Sequence, residues 1–139
     1  MMLNYASLVE VVIIMTDYVK LVLQDVPEDM QGEVAATPTG NHLFLITEKD
    51  LVLLDGKRQD SFVHIVMQLI NLSQRARPVI RMAVSFLCGC LSVLDVNDYK
   101  KAHRVIKYLQ GMQDMLLKLS GDGKGVMQWW IDCSRCILT

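Results

Sequence analysis

Apolar side chains recur along this chain in two rhythms. Val9 to Met15 is a run of β-branched and other apolar residues broken only by Glu10, which favours a strand. From Asp17 to Val26 the apolar groups Val19, Val22 and Leu23 take helical spacing, and Pro27 stops that helix. The acidic run from Glu28 to Gly40, with Thr37-Pro38 near its end, reads as an irregular surface connection. The segment His42 to Leu54 fits a short strand at Leu43 to Ile46, and Asp55-Gly56 signals a turn.

From Gln59 to Arg75 the residues Phe62, Ile65, Val66, Leu69, Ile70 and Leu72 lie on one helical stripe. Pro78 suits the first turn of a second helix, to about Ser92, because its missing N–H would have no intrahelical partner there. That helix is apolar nearly all round, with Arg81 as its only charge, which predicts a central, enclosed position. Asn97 is a suitable N-cap for a third helix and Gly111 a suitable residue just beyond its end. Its apolar face holds Tyr99, Ala102, Val105, Ile106 and Leu109, whereas Lys100, His103, Arg104 and Lys107 recur at three- and four-residue intervals opposite. Met115 to Leu119 and Val126 to Cys133 read as two strands joined at Gly121-Asp122-Gly123. The expected fold is α+β and mainly helical: a three-helix bundle flanked by short strands, with segments 1–58, 59–113 and 114–139.

Composition narrows the function classes. With 139 residues, 52% of them hydrophobic, the chain can supply a core. Its 14 basic and 15 acidic residues leave a net charge of −1, so any affinity for nucleic acid must come from a local patch. The apolar stretch Leu8 to Met15 is shorter than the roughly 20 residues a membrane span needs, and it lacks the flanks of a signal peptide. An intracellular chain with four reduced cysteines is the expectation. Cys88 and Cys90, two apart on a helix, point about 200° away from each other, so they cannot easily share a zinc ion with Cys133 and Cys136. His42, His64 and His103 are scattered and form no nucleophile arrangement with Ser or Cys.

The run from Phe62 and His64 through Leu69, Leu72 and Arg75 to Arg77-Pro78 resembles the thumb region of copia-type retrotransposon reverse transcriptases. The likeness continues through Ala83 to Cys88, through Asp98-Tyr99-Lys100-Lys101, and through Arg104-Val105-Ile106-Lys107-Tyr108-Leu109. Thr16-Asp17-Tyr18, Thr37-Pro38 and His42-Leu43-Phe44 resemble the family's link from palm to thumb, and Trp129-Trp130-Ile131-Asp132 resembles the opening strand of its RNase H domain. The likeness spans residues 13 to 135 and departs at Val79, Asn71 and Met112, where the family has Asp, Tyr and Thr.

This resemblance implies a palm-edge segment over 1–58, a thumb-like bundle over 59–113 and the start of a truncated RNase H domain over 114–139. The intact family enzymes are RNA-directed DNA polymerases with RNase H that use Mg²⁺ on a template–primer duplex. The chain lacks the Tyr-x-Asp-Asp motif of that polymerase site. Asp132 alone matches the first RNase H carboxylate, and one ligand cannot hold a metal pair, so it is at most a vestigial metal ligand or an ordinary strand-end acid. A catalytically inactive fragment that needs no cofactor is therefore expected.

Its residual capacity would be weak binding to the backbone of an RNA–DNA or DNA template–primer duplex, through Lys100, Lys101, His103, Arg104 and Lys107 with Arg75 and Arg77. The same basic face also reads as an ordinary solvated helix surface. A competing expectation is a helical protein-interaction module whose apolar surface binds a partner or a second copy.

Overall fold

A computed structural model describes the whole chain except residues 8, 9, 31, 42, 45–52, 93, 122, 123 and 125–139. It is α+β and mainly helical. Strands β1 (Met2–Ser7) and β2 (Glu10–Ile14) lead into helix α1 (Thr16–Gln24). Helices α2 (Gly56–Arg75), α3 (Arg81–Gly89) and α4 (Val96–Gly111) follow, and strand β3 (Leu117–Ser120) is the last element among the described residues. Among the described residues no helix is long and apolar enough to cross a membrane.

The α2 stripe behaves as its spacing demands. Phe62, Ile65, Val66, Leu69 and Leu72 are buried, and Ile70 packs at the rim of the core. Burying each such side chain contributes about 1.5–3 kcal/mol. The helix begins earlier than Gln59 because Asp55-Gly56 is not a turn. Asp55 is the N-cap, its carboxylate accepting from the Arg58 backbone N–H at 2.8 Å, and Gly56 is the first helical residue. An Asp preceding a small residue serves a cap as well as a turn, and here the apolar stripe that follows selects the helix.

Pro78 opens a single 3-10 turn (Pro78–Ile80), so α3 starts only at Arg81 and ends at Gly89. It is not the enclosed central helix. Ala83, Val84 and Leu87 face the core, while Val79 and Met82 stay 49% and 65% exposed. A short helix packed on α2 and α4 has only one covered side, whatever the hydrophobicity of the other. The longer α2 and α4 supply most of the deeply buried groups: Phe62 stacks on Tyr99 with ring centroids 6.5 Å apart, and Ile106 and Leu109 are fully buried beside Ile80 and Leu87 in one core.

The cap of α4 is Asp95, whose carboxylate accepts from the Asp98 backbone N–H at 2.7 Å, so Asn97 lies inside the first turn. Gly111 is the last helical residue and Met112 the C-cap. A Cβ on Gly111 would collide with Cγ1 of Val34, which explains why the smallest residue stands there.

The strand expected over 115–119 forms over Leu117–Ser120, and it pairs antiparallel with β2 to complete a sheet of order β1-β2-β3. Val12 opposes Lys118 and Ile13 opposes Leu117. This joins β3 to the amino-terminal pair as a partner of β2; the expected hairpin mate, Val126 to Cys133, lies outside the described residues. β1 itself was not singled out by pattern, since Met2 to Ser7 acquires its strand character from pairing with the strongly β-branched β2.

Candidate nucleic-acid interface

Helix α4 positions the basic side chains. Its inner stripe, Tyr99, Ala102, Val105, Ile106 and Leu109, is buried as the spacing requires. That anchoring turns Lys100, His103, Arg104 and Lys107 away from the core, with Lys100 exposed and the other three half-buried. Among the described residues no carboxylate pairs with Lys100, Arg104 or Lys107.

The cover over the half-buried cations is the irregular segment 32–38. The backbone N–H of Ala35 donates to the carbonyl of Lys107 at 3.3 Å, and Arg104 Nη2 donates to Oγ1 of Thr37 at 3.1 Å. A Cβ added to Gly32 would lie 2.9 Å from Cε and 3.2 Å from Nζ of Lys107, and 3.9 Å from Nε2 of His103. Val34 sits against Gly111. The segment thus runs as a strap along the basic side of α4. The residue pattern alone predicts only a connecting role for it. The available signal was the small residue at each crossing, Gly32 and Gly111, which lets backbone and side chain approach closely.

Three other sequence-expected residues are placed differently. Lys101 is buried, its ammonium 3.1 Å from the Asp98 carboxylate and 4.6 Å from the centre of the Phe86 ring. Arg77 is 2% exposed, and its Nη2 donates to the carbonyls of Met112 at 2.8 Å and Gln113 at 2.9 Å. It therefore caps the carboxy-terminal end of α4 from the bend after α2. Burial lowers its pKa, with Tyr108 and Asp114 opposing that effect. Arg75 is exposed in the last turn of α2, where a cation complements the helix dipole. The structure thus gathers Lys100, His103, Arg104 and Lys107 on one helix, turns Lys101 and Arg77 inward, and leaves Arg75 on another helix.

A cavity of about 300 Å³ between α2 and α3 is lined by Ile70, Ser73, Gln74, Arg81, Val84, Ser85 and Cys88. The Ser73 hydroxyl donates to the Ile70 carbonyl at 2.8 Å, and burial pushes the Cys88 thiol up. Cys90 is pushed up to about 11, first by burial and then by Asp98. Cys88 and Cys90 are free thiols; Cys133, Cys136 and Asp132 lie outside the described residues. Among the described residues no group of three or more His, Cys, Asp or Glu could hold a metal ion. Compared with known proteins, the chain matches no family model, no curated protein and no solved structure.

Proposed function

We propose that this chain is a non-catalytic, thumb-like piece of a copia-type reverse transcriptase that binds the phosphate backbone of a template–primer duplex through the outer face of α4. The observation that carries the reading is the set Lys100, Arg104 and Lys107, three cations on one helical face without a carboxylate partner among the described residues. At about 1.5 Å of rise per residue they span roughly 10 Å. That is about one Debye length at 0.1 M salt, so they act on a polyanion as one local field. Such contacts carry affinity without base specificity. The resemblance in the 62–109 region supplies the substrate class. With no Tyr-x-Asp-Asp motif in the sequence, and with Asp132 alone matching an RNase H carboxylate, neither polymerase nor RNase H activity is expected of the chain by itself.

The test is binding of the purified chain to a labelled RNA–DNA duplex across a salt series. Three phosphate contacts predict an affinity falling about 40-fold between 50 and 200 mM salt, from a slope of about −0.9 per contact. The triple variant Lys100→Ala, Arg104→Ala, Lys107→Ala should flatten that slope. A folded chain that ignores the duplex at low salt would refute the reading.

A second reading, a protein-interaction module, is favoured by the exposure of Met67 (52%) and Met82 (65%) on α2 and α3. Unbranched thioethers adapt to varied apolar partners. Association through them would persist at high salt, unlike phosphate binding.

A further inference from the structure

Thr37 stands out because one exposed hydroxyl combines an accessible backbone, a following proline and a waiting guanidinium. Of the three prolines in the sequence, only Pro38 follows a hydroxyl-bearing residue. Thr37 is exposed in the irregular strap, where no helix or strand must open for the chain to enter another protein's cleft in extended form. Its Oγ1 donates to the Thr39 carbonyl at 2.9 Å and accepts from Arg104 Nη2 at 3.1 Å. Arg104 Nε is buried without a hydrogen-bond partner, so the guanidinium has a spare donor beside this hydroxyl. Farther along the strap, the Lys107 side chain lies against Gly32.

We infer that Thr37 is a phosphorylation site for a proline-directed protein kinase, and that its phosphate closes a charged clamp with Arg104 that fastens the strap to α4. Thr37 Oγ1 forms a bond to the γ-phosphorus of a nucleoside triphosphate while the bond from that phosphorus to the β–γ bridging oxygen breaks. The nucleoside diphosphate leaves with that electron pair, and the hydroxyl proton passes to the kinase's catalytic carboxylate. The product carries a charge of about −1.5 to −2 where a neutral hydroxyl now meets Arg104, and it offers several acceptor oxygens to a guanidinium that has a donor in reserve. Two consequences follow. The strap holds more tightly to α4, and Arg104 is withdrawn from any external polyanion. The second consequence rests on the backbone-binding reading; the first does not.

The experiment treats the full chain with a set of proline-directed Ser/Thr kinases and ATP, and maps the product by intact mass and fragmentation beside Thr37→Val and Pro38→Ala. A single phosphate on Thr37, absent from both variants, is expected. The phosphoprotein should melt about 5 °C above the unmodified chain, and Arg104→Gln should abolish the difference. Should that variant fail to fold, ³¹P NMR on the native phosphoprotein decides, because contact with Arg104 moves the phosphate's second pKa below its usual value of about 6. Binding of the RNA–DNA duplex should weaken about tenfold, with the salt slope reduced by about one contact. If none of the kinases modifies Thr37, the site is overturned. If the phosphate forms but leaves both melting and the phosphorus titration at unmodified values, the clamp is overturned. A chain that never binds duplex removes the backbone reading, while the melting and NMR comparisons still judge the clamp.

Discussion

Replacing Arg77 with Met separates a structural arginine from a nucleic-acid contact. The Arg77 guanidinium makes two hydrogen bonds, to Met112 O at 2.8 Å and Gln113 O at 2.9 Å, and the residue is almost wholly buried. Hydrogen bonds from a charged donor contribute about 1.5–3 kcal/mol each. Part of that is offset by the cost of desolvating the guanidinium, the same burial that lowers its pKa. Met keeps the length of the stem but leaves both carbonyls without this donor, so the net loss should be about 2–3 kcal/mol. For a chain of this size that corresponds to a fall in melting midpoint of roughly 5–10 °C. In urea the midpoint should drop by about 1 M or more, given an m-value of about 1–3 kcal/mol/M. Circular dichroism during thermal and urea unfolding reads both values. Arg77→Lys should recover only part of the loss, since an ammonium lacks the planar fork. Below its melting temperature the Met variant should keep the duplex affinity of the parent. Midpoints unchanged within about 1 °C, together with lost duplex binding, would refute the capping role and return Arg77 to the interface.

The buried pair of Asp98 and Lys101 gives a second test: Asp98→Ala strips Lys101 of that carboxylate and should cost about 3–5 kcal/mol, whereas the double variant Asp98→Leu, Lys101→Met should be near neutral by urea unfolding. Cys90, its thiol held up to about 11 against an ordinary value of 9.0, should react with iodoacetamide far more slowly in the folded chain than in urea at mildly alkaline pH. Because its folded pKa is raised, the stability this thiol contributes is complete below 9.0 and is lost as pH climbs towards 11. Comparing the parent with Cys90→Ala at neutral pH and midway between those values should show the difference between them shrinking.

Much of the helical framework was legible in the residue pattern. The stripes of α2 and α4 are long and strictly periodic, and one buried face per helix is the way such a pattern can remove its apolar surface from water. The caps were less legible. Asp95 and Asn97 are chemically interchangeable as N-caps, as are a turn and a cap at Asp55-Gly56, so local chemistry permits both and packing of the following residues selects one. The misplacement of α3 has a related cause: hydrophobicity states what a helix could bury, whereas enclosure depends on how many neighbours reach it.

The candidate site divides along the same line. By itself the sequence determined which side chains on α4 point outward, because a period of 3.6 residues places Lys100, His103, Arg104 and Lys107 opposite the buried stripe. Tertiary structure alone decided that the strap lies over three of them, that Lys101 and Arg77 turn inward to Asp98 and to the end of α4, and that β3 closes on β2. These are contacts between residues far apart along the chain, apart from the Asp98 pair, and the geometry of the assembled core determines whether a flexible charged side chain ends in water or against a buried partner.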